Sequence, residues 1–326
     1  MKTNNKKSKL ILLIGLGRSG TTWIGKIFDS HPDTYYMHEP DNWCKKIPLP
    51  TITNPITNIP DTLGKYIDSL IDIKNSQIVG KLPAFPKSYY GFLVNKIRTL
   101  NINLSKVAAK FSIRIPIFNY NLKNKLSNSR LVWKSIESLG RLDYFTKSSE
   151  NIHIIHIIRH PCGFISSVLR GEKVGVFDSD CATSEDFGVF DLLSKTEQAQ
   201  AHGISLQSFK EMTSLERLAW KWVLINEKAF IEGQHHNQTM LLKYEDLCAN
   251  PIEVAKQLFG YCGLNWNTQS ENFLSKSTNT NKTQYYSVYK NPKQAASKWK
   301  KELSPSDINT IMSVVAKSKF ADLYRE

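Results

Sequence analysis

A short apolar segment followed by a glycine-rich loop constrains this chain most. Leu10–Ile14 is apolar at every position, which is typical of a strand buried on both faces of a sheet. The loop GLGRSGTTW follows from Gly15 to Trp23, and helix-like sequence continues to about Ser30. The glycines allow a tight turn, and the amide groups that begin the helix can then point at an anion. The pattern predicts a phosphate-binding loop between a strand and a helix.

This loop differs from the loop of a nucleotide triphosphatase. Its glycines fit the spacing G-x-x-x-x-G-K-[ST], but Thr21 stands where the lysine should be. Arg18 supplies a cation instead, and the hydroxyls of Ser19, Thr21 and Thr22 add hydrogen-bond donors. A kinase would also need a metal-holding aspartate at the end of a neighbouring apolar strand.

A second strand-like segment predicts a second anion site. Asn151–Ile158 (NIHIIHII) is rich in β-branched residues and runs into Arg159, where a kinase would carry its acid. Pro161 then suits the first turn of a helix. Ser167 comes eight residues after Arg159, and Gly163 lies on the same helix face and allows close backbone approach. An arginine and a serine that converge there can hold a phosphate by charge-assisted hydrogen bonds.

Strand-like and helix-like segments alternate along most of the chain. We predict further strands at Thr34–Met37, Leu131–Trp133 and Thr239–Leu242. The predicted helices include Leu139–Ser148, Ser214–Ile231, Pro251–Cys262 and Pro305–Lys317. This alternation favours a single α/β domain over residues 1–326 with a mostly parallel sheet. Two stretches, 41–130 and 172–213, fit the pattern poorly, and we interpret them as insertions that build one side of a cleft.

The formal net charge of +14 suits an anionic partner, such as nucleic acid, a membrane surface or a phosphate-rich small molecule. Lysines are spread along the sequence rather than clustered with aromatic residues, so we expect no nucleic-acid binding. The five cysteines are scattered and predict neither a disulfide framework nor a metal site. No stretch approaches the ~20 apolar residues that a membrane helix needs. We therefore expect a cytoplasmic protein without a membrane anchor.

Together these motifs resemble those of the sulfotransferases that use 3′-phosphoadenosine 5′-phosphosulfate. GRSGTTW is similar to that family's loop for the 5′-phosphosulfate, and IIHIIRHPCGFISS is similar to its 3′-phosphate motif. LVWKS, LLKYEDLCANP and SKW agree as well, so the resemblance covers most of the chain outside the two insertions. It is closest in style to the carbohydrate and protein-tyrosine branches. The resemblance implies a P-loop-like α/β fold, that nucleotide as the sulfuryl donor, and a reaction without a metal.

The resemblance also implies roles for individual residues. Those expected to cradle the 5′-phosphosulfate are Arg18, Ser19, Gly20, Thr21 and Thr22. Those expected to contact the rest of the donor are Arg159 and Ser167 at the 3′-phosphate, Tyr244 and Lys298 by similarity to the tyrosine branch, and Lys290 near the 3′-phosphate.

Sulfuryl transfer needs a base that removes the proton of the acceptor hydroxyl. Glu39 follows the predicted strand Thr34–Met37, at the sheet end where open α/β sheets place ligands. A glutamate at the matching position is regarded as the base in the tyrosine branch. His38 is the rival, because its ordinary pKa lies nearer neutrality. We expect Glu39 to act as the base and Arg18 to neutralise the developing charge.

Two alternatives stay open at this point, a P-loop kinase-like phosphotransferase and a basic nucleic-acid-binding protein. The branch resemblance favours a saccharide hydroxyl as the acceptor, while peptide tyrosine, lipid and small phenol stay open. The two insertions, 41–130 and 172–213, are expected to carry acceptor specificity.

Overall fold

Five parallel strands form one sheet in a computed structural model of the chain, which describes residues 10–43, 49–53, 63–118, 129–148, 151–175, 181–280 and 287–324. The strands are β1 (Leu10–Ile14), β2 (Thr34–His38), β3 (Arg130–Ser135), β4 (Ile152–Ile158) and β5 (Thr239–Lys243). Their order across the sheet is β2-β3-β1-β4-β5, with every neighbouring pair parallel. The predicted α/β fold with a mostly parallel sheet is confirmed.

The central strand β1 explains why its sequence is apolar throughout. Leu12 pairs with Trp133 of β3 on one side and with Ile154 of β4 on the other. Ile11 and Leu13 face one hydrophobic cluster, whereas the alternate residues of the strand face another. Both faces are therefore covered by helices, as expected for a parallel sheet.

The helices are α1 (Thr21–Ser30), α2 (Pro40–Trp43), α3 (Leu63–Leu70), α4 (Ser76–Val79), α5 (Phe92–Ala109), α6 (Leu142–Ser148), α7 (Pro161–Lys173), α8 (Phe187–Ser194), α9 (Glu197–Ala201), α10 (Leu206–Glu211), α11 (Ser214–Gln234), α12 (Tyr244–Ala249), α13 (Pro251–Tyr261), α14 (Thr268–Asn279), α15 (Pro292–Ser297), α16 (Trp299–Glu302) and α17 (Pro305–Val315). Helices α1, α13 and α14 cover one face of the sheet, and α11 and α17 belong to the cluster on the other.

Among the described residues, no helix combines the length and apolarity that crossing a bilayer requires.

The predicted strands and helices are present, with small differences at their ends. Residues 139–148 form a 3₁₀ turn (Leu139–Arg141) before α6 rather than one helix. Pro161 begins α7 as predicted, and His160 Nδ1 caps that helix by accepting from the amide of Cys162. In their described parts the two poorly fitting stretches add helices, α2–α5 in 41–130 and α8–α10 in 172–213, and give the sheet only Arg130.

Helix α11 fixes the end of β4, where the second anion motif begins. Trp222 Nε1 donates to the carbonyl oxygen of Arg159 at 2.9 Å. Asn226 bonds His156 of β4 at 2.9 Å through its side-chain oxygen. Both side chains are buried, so the core also positions the residue that follows the strand.

Gly15 is required by the close approach of β1 and β4. A Cβ at this position would lie 2.6 Å from the carbonyl oxygen of Ile157, a backbone atom that cannot move aside on its own. We expect Gly15→Ala to lower the free energy of unfolding by about 1–3 kcal/mol, measured by urea titration.

Gly260 is the matched control, because it lies in α13 and a Cβ there meets nothing within 4 Å. Gly260→Ala is expected to raise the free energy of unfolding by about 0.5–1 kcal/mol, since alanine loses less backbone entropy in a helix. A Gly15→Ala protein as stable as the parent would contradict this packing of β1 on β4.

Candidate active site

The glycine loop between β1 and α1 has the tight backbone that its sequence predicts. Gly20 has a φ of 84°, in the left-handed region, and a Cβ there would lie 2.3 Å from the ring of Tyr244. Arg18 also has a positive φ, of 76°, which is unusual for a residue with a side chain. Gly20 precedes α1 as its cap residue and provides no side-chain hydrogen bond to the first turn. The loop therefore brings the start of α1 against the Tyr244 ring.

Arg159 braces this loop from the end of β4. Its Nη1 donates to the carbonyl oxygen of Arg18 at 2.7 Å, and its Nη2 donates to that of Ala295 at 2.9 Å. Its guanidinium carbon lies 5.0 Å from the centre of the Tyr244 ring. Gly163 leaves the room for this, because a Cβ there would lie 3.0 Å from Arg159 Nε. That Nε is buried and has no hydrogen-bond partner in the described part of the chain.

Ser167 bonds Arg18, a contact that the sequence did not predict, since Ser167 was expected to act with Arg159. Arg18 Nε donates to Ser167 Oγ at 3.1 Å, although 149 positions separate the two residues. Arg170, one turn further along α7, donates to the same hydroxyl at 3.3 Å. Two guanidinium groups thus converge on one serine beside the loop.

Lys290 completes a cluster of cations at this end of the site. Burial lowers the pKa of Lys290 to about 8, and the positive charges of Arg18, Arg170, Lys298 and Arg159 act in the same direction. A cluster of positive charges that opposes the protonation of a lysine in this way creates a strong local preference for an anion.

Lys298 is the most exposed of the predicted donor contacts. Its ammonium lies 3.1 Å from a carboxylate oxygen of Glu302, and its side chain is 53% exposed. Glu302 also pairs with Arg170 and accepts from Ser166. The structure brings Lys298 to the cluster, where one carboxylate partly balances the charges of Lys298 and Arg170.

Glu39 lies directly beyond β2 and has a φ of 50°, again in the left-handed region. Its carboxylate pairs with Lys134 of β3, and its amide donates to the Lys134 carbonyl oxygen at 2.8 Å. Lys134 is almost completely buried, and this burial lowers the pKa of its ammonium. Side chain and backbone together therefore hold Glu39 at the end of the sheet.

His38 lies beside Glu39, and its two ring nitrogens have different neighbours. Its Nε2 is 3.8 Å from a carboxylate oxygen of Glu39, and its Nδ1 is 2.9 Å from the hydroxyl of Tyr36. Burial lowers the pKa of His38 well below its ordinary value, and nearby lysines, Lys134 first, lower it further. His38 is therefore neutral near pH 7.

Asp41 bonds residues of β3, the strand that carries Lys134, and residues that follow it. Its carboxylate accepts from Ser135 at 2.5 Å, from Arg141 at 2.6 Å and from the indole of Trp133 at 3.2 Å. The motifs HEPD and LVWKS, which lie far apart in the sequence, are therefore joined in space around Lys134.

A cavity of about 580 Å³ brings the loop and the acidic end of the site together. Its walls include Arg18, Thr21, Thr22, His38, Glu39 and Lys134. Residues of the two poorly fitting stretches also line it, among them Asn42, Gln77 and Lys81 of the first and Thr183, Asp186 and Val189 of the second. Parts of those stretches, 44–48, 54–62, 119–128 and 176–180, lie outside the described residues.

Sequence reasoning missed Lys134, Lys81 and Arg170. Lys134 belongs to the LVWKS motif, but the sequence predicted no role for it. The only signal was a charged residue near the end of an otherwise apolar strand. Arg170 lies one turn after Ser167 on α7, so its position on that helix face could have been read from helical spacing. In the described part of the chain, no three His, Cys, Asp or Glu side chains form a group that could hold a metal ion.

Comparison with known proteins gives a distant relative. The chain is 21% identical over 361 residues to carbohydrate sulfotransferase 1 of Danio rerio, an alignment that covers 95% of this chain and 76% of that protein.

The chain also aligns with solved structures at low similarity. A sulfotransferase domain from the olefin synthase of Synechococcus PCC 7002 aligns with a TM-score of 0.42 and 13% identity, covering 97% of this chain and 98% of that one. A mouse sulfotransferase complexed with PAP aligns with a TM-score of 0.43 and 11% identity, covering 98% of this chain and 89% of that one.

A family model described as the sulfotransferase domain matches residues 8–323. That match includes the phosphate loop, Glu39, Arg159 and the segment that carries Lys290 and Lys298. The chain belongs to the sulfotransferase domain family.

Proposed function

We propose that the protein transfers a sulfuryl group from 3′-phosphoadenosine 5′-phosphosulfate to an acceptor hydroxyl. The cation cluster beside the loop carries this proposal. Burial lowers the pKa of Lys290 to about 8, and the nearby charges of Arg18, Arg170 and Arg159 act in the same direction. Glu302 balances only part of this charge, so a nucleotide with phosphates at two positions suits the site.

The loop and α1 would receive the 5′-phosphosulfate. The amides of the first turn of α1 and the hydroxyls of Thr21 and Thr22 can donate to its oxygens. Arg18 reaches both the loop and Ser167, so it would link the two phosphate sites. Arg159 uses Nη1 and Nη2 on backbone carbonyls, which leaves its buried Nε and the second hydrogens of Nη1 and Nη2 for a phosphate.

In the proposed reaction Glu39 accepts the proton of the acceptor hydroxyl. The hydroxyl oxygen forms a bond to sulfur while the bond from sulfur to the bridging phosphate oxygen breaks, and 3′-phosphoadenosine 5′-phosphate leaves. Arg18 neutralises the charge that develops on the leaving phosphate. The buried ammonium of Lys134 orients Glu39. The proposal needs no metal, because the arginines and lysines supply the positive charge.

The surroundings of His38 favour Glu39 over His38 as the base. If the Tyr36 hydroxyl donates to Nδ1, the His38 proton lies on Nε2, the nitrogen that faces Glu39. That nitrogen is then a donor and cannot accept the acceptor proton. Burial and the surrounding lysines also oppose a second proton on the ring.

A saccharide is the proposed acceptor class. Asn42, Gln77 and Lys81 of the first poorly fitting stretch and Thr183 and Asp186 of the second give the cavity donors and acceptors. Sugar hydroxyls need such partners when they leave water. The 21% identity to a carbohydrate sulfotransferase adds weak support. Both stretches would thus determine acceptor specificity.

Donor affinity is expected to fall as Lys290 loses its proton. Its pKa of about 8 leaves the ammonium mostly charged at pH 7 and mostly neutral at pH 9. If only the charged form binds, affinity for 3′-phosphoadenosine 5′-phosphate falls about tenfold between these pH values. Titration by tryptophan fluorescence at both pH values measures this.

Lys290→Met should bind more weakly and lose this pH dependence, whereas Lys293→Met, an exposed lysine nearby, should keep it. Equal pH slopes in the parent and the Lys290→Met protein would remove Lys290 from the donor site.

Glu39→Gln keeps the shape of the carboxylate but cannot take a proton. We expect kcat to fall about 10²–10⁴-fold, with donor affinity changed little. The assay follows labelled sulfuryl transfer from the donor to a panel of saccharides, peptide tyrosine and simple phenols.

His38→Gln is the matched control, because His38 directly precedes Glu39 and is the rival base. We expect it to lose less activity than Glu39→Gln. The base assignment fails if Glu39→Gln turns over at the parental rate. The saccharide proposal fails if only a phenol or a tyrosine peptide is sulfated.

A further inference from the structure

Helix α5 carries a row of large apolar side chains that the described part of the chain leaves exposed. The row consists of Leu93, Ile97, Leu100, Leu104, Val107 and Phe111, each more than half exposed. The spacing alternates between four and three residues, so all six side chains lie along one face of the helix and its C-terminal extension. We call this row the α5 face.

The opposite side of α5 is fixed to the protein. Arg98 is buried and donates to the carbonyl oxygen of Val79 at 3.2 Å. Lys106 donates to the carbonyl oxygen of Ser76 at 2.8 Å, and Ser105 donates to that of Ile115 at 2.8 Å. These polar contacts on the inner side determine the rotation of the helix, so the apolar row points to solvent.

The exposure is concentrated in this part of the molecule. In the described part of the chain, nine of the thirteen exposed large hydrophobic side chains lie between residues 92 and 118. Single exposed apolar residues are ordinary on a protein surface, but a continuous patch marks an interaction surface.

The sequence segment that carries the α5 face has charges of one sign only. Residues 73–136 contain twelve Lys or Arg residues and no Asp or Glu, in a chain whose whole formal net charge is +14. Lysine is spread along the sequence as expected, but the acids that would balance it are missing from this segment. Lys96 and Lys110 are exposed beside the apolar row.

A second copy of the chain is a poor match for this face. Facing α5 helices would bring Lys96 and Lys110 of one copy against the same cations of the other, with no acid between residues 92 and 118 to pair with them. Helix pairs of this type rely on opposite charges beside the apolar seam. An anionic lipid surface offers both an apolar layer and negative charge.

We infer that the α5 face docks the protein onto the surface of an anionic lipid bilayer. A helix of this kind lies in the interface with its apolar row among the acyl chains and its lysines at the headgroups. Ser76, which holds Lys106, begins the short helix α4, and Gln77 of that helix lines the large cavity. The docked surface and the cavity therefore share one structural element. The inference does not depend on the proposed donor or acceptor.

Flotation of the full chain with vesicles tests this inference. We expect binding to vesicles of mixed phosphatidylglycerol and phosphatidylcholine, weak binding to phosphatidylcholine alone, and loss of binding at high salt. Leu100→Gln combined with Leu104→Gln should lower binding about tenfold or more, because two apolar side chains leave the lipid. Lys96→Gln combined with Lys110→Gln should weaken binding to the anionic vesicles only.

Val174→Gln combined with Ile252→Gln is the matched control, since both side chains are exposed and apolar but lie outside the α5 face. It should bind like the parent, and circular dichroism should show that all variants are folded. Equal binding to both kinds of vesicle, or parental binding by the Leu100→Gln, Leu104→Gln protein, overturns the inference. So does a dimer in light scattering that the same pair of substitutions dissociates, without any vesicle binding.

Discussion

The guanidinium of Arg159 joins parts of the chain that lie far apart in the sequence, and the glycine loop of the candidate site depends on this junction. It holds the loop through the Arg18 carbonyl and the C-terminal segment through the Ala295 carbonyl, and it lies against the Tyr244 ring. Trp222, a residue of the hydrophobic core, donates to the Arg159 carbonyl oxygen. The core therefore positions Arg159, and Arg159 positions the loop. A planar group with five donors can make these contacts and still face an anion, which an ammonium cannot do.

Local patterns in the sequence predicted much of this arrangement. The apolar runs of β1 and β4 are buried on both faces, so polar and apolar residues do not alternate along them. This continuous apolar pattern made both strands predictable. Because parallel strands present their carboxyl ends at one edge, residues that follow them converge there. That geometry explains why Glu39 and Arg159, each found within two residues of the end of a predicted strand, line up with Arg18 at one end of the sheet.

The rest depends on contacts between distant segments. Lys134 and Glu39 pair across 95 positions, and nothing in either local sequence announces the pair. The left-handed backbone of Arg18 and Glu39 is likewise set by the surrounding structure rather than by propensity. The basic segment 73–136 was not predicted, because lysines are spread along the whole sequence. What distinguishes this segment is that it contains no Asp or Glu. The α5 face became visible only once the exposed side of that helix was known.

The central claim is that the loop and the cation cluster bind a nucleotide with two separate phosphates and no metal. Calorimetry in the presence of EDTA tests it directly, comparing 3′-phosphoadenosine 5′-phosphate with adenosine 5′-phosphate. The account predicts that the first ligand binds in EDTA and that loss of the 3′-phosphate weakens binding about tenfold or more. Equal affinity for the two nucleotides, or binding only of ATP with Mg²⁺, would contradict it.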